Sequence, residues 1–305
     1  MKSNSSEEIK AFGSCLDRAI PSCGESAENR AGGSLQESCT GILPIAKSTS
    51  LGWSLPGHGE AYQDCGEIRF RGCLNVEFHQ EALDRDQRGK AFVQAYRRTC
   101  GRKECPKCYE SWASLEARRA EYRLGFYRGR WGKPIHLSVN PASEIWDWDY
   151  HRLKSYAYKA LKCVGISGGC LIYHPFRQNE SGEWFFSPHF HVLGYGYHRG
   201  NRVPNMVVKN HGVRKSVRAT LLYQLSHAGV HESIHTVTWF GCLSYNKLKV
   251  PPMPDPKPKC PLCGEDLVPL LYCGQGEDPP PLEDGAHFLD PCDWMESPGR
   301  FGRGS

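Results

Sequence analysis

The sequence predicts an α+β protein: a central antiparallel sheet with two helices, preceded by one cysteine-bearing module and followed by another. Three observations carry this. Strand-like and helix-like patterns follow one another in the order β-α-β-β-α-β over residues 131–250. Two Cys-x-x-Cys knuckles, Cys105/Cys108 and Cys260/Cys263, flank that stretch. A run of alternating prolines, 251–259, sets the second knuckle apart as if by a stiff linker.

Residues 1–50 are rich in Ser, Gly, Glu and Asn without sustained period and read as a disordered tail. Cys15, Cys23 and Cys39 lie there, widely spaced and with no assigned role. Residues 51–130 read as a zinc-binding basic region that ends in a basic helix from Ala113 to Arg130. In residues 131–250, Ile135–Val139 is a strand closed by Asn140-Pro141, and Asp149–Val164 has helical spacing, with Leu153, Tyr156, Ala157, Ala160 and Leu161 on one side. Cys170–His174 and the segment from His189 to Tyr195 are strands joined by the polar loop Gln178–Glu183, a hairpin pattern. Arg214–His227 is a second helix, and Thr236–Phe240 a fourth strand. That order is the one of a ferredoxin-like split βαβ sheet. Residues 251–305 are the linker and a zinc-ribbon-like tail.

Composition narrows the class of protein. Of 305 residues 39% are apolar, and no apolar run approaches the roughly 20 needed to cross a bilayer. The first residues, Met1 to Glu8, lack the apolar stretch of a secretory signal, so the reading is a soluble, cytoplasmic protein. In that compartment fifteen cysteines, several closely spaced, point to metal rather than disulfides. The formal net charge of +5 permits a nucleic-acid partner. Arg85, Arg88, Lys90, Arg97, Arg98, Arg102, Lys103, Lys107, Arg118, Arg119, Arg123, Arg128 and Arg130 crowd one segment, either a solvated helix face or a phosphate-contacting surface.

Cys105 and Cys108 place two thiolates on one tetrahedral ion, and Cys100 supplies a third. For the fourth, Cys73 stands ahead of Cys65 and His79. The rigid surface so made would present Arg97, Arg98, Arg102, Lys103 and Lys107 to DNA phosphates. Around Cys260 and Cys263 the expected partners are Cys273 and Cys292, with His287 and Cys242 as rivals. The count is about two structural zinc ions.

His189-Phe190-His191 carries different chemistry. Alternate residues on a strand share a face, so both imidazoles project together while Phe190 enters the core. On the second helix Tyr223 and His227 stand four apart on one face. This ordered set resembles the rolling-circle replication initiators of the HUH endonuclease superfamily, in particular those of archaeal plasmids and viruses. His136-Leu137-Ser138-Val139-Asn140-Pro141 loosely matches their first motif, His189-Phe190-His191 their second, and Tyr223 their third. His227 stands where lysine is common. The resemblance implies an HUH nuclease domain over 131–250 that nicks and rejoins single-stranded DNA at an origin, pictured as a hairpin. The nucleophile would be Tyr223, leaving a 5′-phosphotyrosine, and Mn²⁺ or Mg²⁺ would be held by His189 and His191, with His227 as a metal-ligating or phosphate-positioning residue and the third ligand open. No phosphate loop of the Gly-x₄-Gly-Lys-Ser/Thr type occurs, so unwinding would fall to a host helicase and synthesis to a host polymerase. An HUH transposase or relaxase, or a noncatalytic zinc-dependent DNA-binding regulator, are the alternatives.

Overall fold

The computed structural model describes residues 52–79, 87–127, 129, 132–200, 202–255, 257–276, 279 and 285–298. The tail expected over residues 1–50 lies outside the described residues, as do Arg85, Arg128 and Arg130. In chain order the elements are β1 (Ile68–Cys73), β2 (Ala91–Arg97), α1 (Tyr109–Gly125), β3 (Ile135–Pro141), α2 (Tyr150–Cys163), β4 (Ile166–Gln178), β5 (Trp184–Gly196), β6 (Met206–Val213), α3 (Val217–Leu225), β7 (Val237–Gly241), β8 (Val268–Tyr272), β9 (Ala286–Leu289) and β10 (Trp294–Glu296). They form two compact units. One comprises Met1–Trp53, Tyr127–Val217 and His231–Leu248; the other comprises Ser54–Phe126, Arg218–Val230 and Lys249–Ser305.

The first unit is an antiparallel sheet in the order β6-β3-β5-β4-β7. Its register sorts the side chains by face. Phe190 lies opposite Val139 and Tyr173, and Val192 opposite Leu137 and Leu171, so these apolar residues share one face. That face is the core. Tyr150 of α2 packs its ring on Tyr173 and Phe190, and Leu153, Ala157, Ala160 and Leu161 are buried beside it. The Asp149 carboxylate caps α2 by accepting from the amides of His151 and Arg152. Gly165, with φ +89°, turns the chain out of the helix into β4.

The ferredoxin-like order is met only in the middle of this sheet. The first, third and second of the four expected strands (β3, β5, β4) are neighbours as that order requires. The fourth, β7, pairs with β4 at the far edge, and β6 takes the place beside β3. The physical reason lies in the intervening helix: α3, apart from Val217, belongs to the second unit and is not a crossover within this sheet.

The second unit holds an antiparallel sheet in the order β10-β8-β1-β2-β9. The modules on either side of residues 131–250 are therefore one sheet rather than two separate attachments. Ala91, Val93, Leu270 and Trp294 form its apolar cluster, with Phe70 and Tyr272 packed on it. Among the described residues no helix is long and apolar enough to cross a membrane.

Candidate metal centres and functional site

The pair β1–β2 carries one cluster of potential ligands at each end. Cys65 lies just before β1 and Cys100 just after β2. They meet Cys105 and Cys108, giving four sulfurs within 4.8 Å of one another. Cys65 Sγ is 3.4 Å from Cys105 Sγ, and Cys100 Sγ is 3.3 Å from Cys108 Sγ. At the other end Cys73, His79, Cys260 and Cys263 form a second group. Cys73 Sγ lies 3.6 Å from Cys263 Sγ, and Cys260 Sγ lies 3.4 Å from His79 Nε2. Sulfur and imidazole donors at these separations suit one tetrahedral ion such as zinc.

The second group shows how its histidine is prepared. His79 is fully buried, and its Nδ1 is 3.1 Å from the Lys90 carbonyl, to which it must donate. The proton is thus on Nδ1, and Nε2 turns a lone pair to the sulfurs, the arrangement usual behind metal-bound histidine. Gly264, with φ +76°, closes the knuckle by donating its amide to the Cys260 carbonyl.

These placements redraw the ligand sets expected from sequence. Cys73 belongs with Cys260 and Cys263 instead of with Cys100, Cys105 and Cys108, whose fourth member is Cys65. Cys273 and Cys292 are exposed and stand in neither cluster; Cys273 Sγ lies 3.6 Å from the Cys292 carbonyl. The reason is the geometry of β1. Cys65 and Cys73 are eight residues apart, and an extended strand advances about 3.3 Å per residue, so no single ion reaches both.

Burial raises the Cys73 thiol to about 12. At Cys100 burial works in the same direction, but hydrogen bonds from Arg102 and from the Cys108 and Cys105 thiols overcome it and lower the group to about 6. The basic residues expected to meet DNA are partly engaged here. Arg98 pairs with Asp64 at 2.7 Å, and Arg102 serves Cys100 while its guanidinium lies over the Tyr62 ring. Burial lowers the Lys103 ammonium, and Arg97 and Lys107 are exposed. Four thiolates on a divalent ion would leave two net negative charges, and nearby cations offset them.

In the first unit a third cluster faces away from the α2 core. His189 and His191 share a face of β5, as alternation requires, and His174 of β4 lies directly opposite His189. Their ring nitrogens lie within 4.8 Å of one another. His174 is fully buried and His189 nearly so. His189 Nδ1 is 2.9 Å from the Ser187 carbonyl, so Nδ1 carries the proton and the lone pair of the neutral ring sits on Nε2. His136, on the same face of β3, brings its Nε2 to 3.0 Å from His191 Nδ1. Arg214 donates to His136 Nδ1 from Nε at 3.0 Å and from Nη2 at 2.7 Å. Burial, the neighbouring His211 and the charge of Arg214 lower His136 to about 4, so it is neutral at pH 7.

His174 was not among the residues expected here. Tyr223 is on α3 and 68% exposed, and its ring meets His227 edge-on at 4.7 Å between centroids. Burial lowers the His227 imidazole. Tyr223 and His227 fall in the second unit, so the described first-unit cluster consists of His174, His189 and His191, without His227.

No protein-family model matches this chain, and neither a curated protein nor a solved structure shows a match to it.

Proposed function

We propose that the chain is a metal-dependent tyrosine endonuclease and strand transferase acting on single-stranded DNA, as a rolling-circle initiator of the HUH type would be. The observation that carries the reading is the cluster of three imidazoles on one sheet face, one of which, His189, holds its proton on Nδ1 against the Ser187 carbonyl. His174, His189 and His191 would hold a divalent cation, Mn²⁺ better than Mg²⁺ given nitrogen donors. When bound, such an ion polarises a phosphodiester and offsets the charge that develops on it. Tyr223 is assigned as the nucleophile. Its exposed phenol oxygen forms the bond to phosphorus, the bond from phosphorus to the 3′ oxygen breaks, and that oxygen takes up a proton to become a free 3′-hydroxyl. A phenol with an ordinary pKa of about 10 needs a base at neutral pH. His227, kept neutral by burial in the turn that follows α3, can accept its proton. The phosphotyrosine conserves the bond energy, and attack by a 3′-hydroxyl reverses the step and rejoins a strand. In this reading the two cysteine-rich clusters hold structural zinc.

The test uses the full chain with Mn²⁺ and end-labelled single-stranded hairpin oligonucleotides on denaturing gels. The expected result is a covalent adduct on the fragment with a 5′ phosphate, absent in Tyr223→Phe and in His189→Ala. An adduct that persists in Tyr223→Phe would move the nucleophile elsewhere. Absence of any adduct with a range of hairpins, while DNA still binds, would favour the noncatalytic regulator.

A further inference from the structure

We propose that the second unit contains a phosphate-binding cleft, formed between α1 and α3, that holds the sugar–phosphate backbone of a single nucleic-acid strand. It deepens the nuclease reading by naming a strand-binding site, but it stands on residues that reading does not use.

Ser111, Ser114, Leu115 and Arg118 recur at i, i+3, i+4 and i+7, so they line one face of α1. Arg218, in the first turn of α3, completes a cleft of about 280 Å³ with them. Two hydroxyls and two guanidiniums thus converge on one opening. Two like charges lining one cleft repel each other unless an anion joins them. The carboxylate of Asp255 approaches Arg118 no closer than 3.7 Å. Arg118 Nε is buried and has no hydrogen-bond partner among the described residues. Planar guanidiniums with hydroxyl donors beside them are the set that recognises phosphate oxygens. None of the lining residues offers a base-specific pocket, and phosphate contacts position a strand without reading its sequence.

The source of the phosphate is a polymer rather than a free ion, because the cleft lies open and the rest of the unit is rich in exposed cations, Arg97, Lys107 and Arg119 among them. Such cations add to the affinity of a ligand that carries several phosphates.

The experiment measures binding of a fluorescent abasic oligonucleotide, eight sugar–phosphates long, to the zinc-loaded full chain without added Mn²⁺ or Mg²⁺. Anisotropy is followed from low to moderate salt, with inorganic phosphate as competitor. Arg118→Gln and Arg218→Gln should each weaken binding about tenfold. Each should also lower the salt slope by about 0.7 for every phosphate it no longer neutralises. Asp255→Asn, which removes the carboxylate that pairs with Arg118, should tighten binding, a gain that misfolding does not produce. Wild-type affinity and salt slope in the double variant Arg118→Gln/Arg218→Gln would overturn the proposal. So would inorganic phosphate binding that depends on these arginines while oligonucleotide binding does not. Cleavage enters none of these readouts: loss of binding in the variants without any tyrosine adduct leaves the cleft standing and removes the nuclease, and the reverse pattern does the opposite.

Discussion

At the scale of the residue, the imidazole cluster is governed by where protons sit. Arginine keeps its protons at any accessible pH, so Arg214 can only donate to His136 Nδ1. Neutral His136 then carries its proton on Nε2 and donates it to His191 Nδ1. His191, accepting at Nδ1, carries its own proton on Nε2, the nitrogen it would otherwise turn to a cation. His189 is held in the opposite, ligand-ready tautomer by the Ser187 carbonyl. Arg214 therefore restrains the cluster through His136. Arg214→Gln lets His136 accept at Nε2, His191 shifts its proton to Nδ1, and its lone pair moves to Nε2. The expected outcome is Mn²⁺ affinity raised by about tenfold, the size of change seen on altering such outer partners. Calorimetric titration measures it, and a drop in affinity would show that Arg214 supports ligation instead. His174→Ala, which removes a buried donor outright, should abolish tight Mn²⁺ binding in the same assay and leave the zinc content unchanged.

At the scale of the element, one antiparallel pair separates the two cysteine clusters. Cys65→Ser should remove one zinc and His79→Ala the other, leaving about one ion per chain in each case. Cys273→Ser and Cys292→Ser should leave the content at about two, and elemental analysis of the four proteins decides it. A content that falls with Cys273→Ser would restore the ligand set expected from sequence. That set failed for a reason of scale. Cysteine spacing marks a knuckle such as Cys105/Cys108, because its ligands are local. It does not show which end of a strand a distant cysteine occupies. Periodicity made α2 and the β4–β5 hairpin legible, and His189 and His191 with them. His174 was hidden by register. Near the turn Phe176 lies opposite Phe186, but between Phe176 and His174 the ladder shifts by one residue, so that His174 meets His189 and not Pro188. A one-residue slip reverses the faces of a strand, and nothing local in the sequence announces this one. The strands β8 to β10 are short, and β8 contains Pro269, so their patterns carry little signal until β1 is there to pair with.

At the scale of the whole molecule, the two units differ in what holds them together. The first has a layered core: α2 covers one face of a sheet whose inner residues Leu137, Val139, Leu171, Phe190 and Val192 are fully buried. The second has a five-stranded sheet with a small apolar cluster, and many of its buried side chains are cysteines, Cys65, Cys73, Cys105, Cys108 and Cys260. A core built from thiols in place of larger apolar groups gives little burial energy per residue, since a side chain such as leucine contributes about 1.5–3 kcal/mol on full burial. Metal ligation would supply the difference, since a site that forms only in the folded state turns metal-binding energy into folding energy. With metal bound, Cys65 and Cys100 would tie one end of β1–β2 to Cys105 and Cys108, while Cys73 and His79 would tie the other end to Cys260 and Cys263. Removal of zinc by a chelator should then unfold the second unit and spare the first. Hydrogen exchange read by mass spectrometry checks this: peptides from β1, β2 and β8 should lose protection on chelation and regain it when zinc is restored. Peptides from β3, β4 and β5 should keep theirs throughout. Equal loss in both units would mean that they unfold as one cooperative body, and protection retained at β1 and β2 would mean that the apolar cluster around Trp294 suffices without the metal.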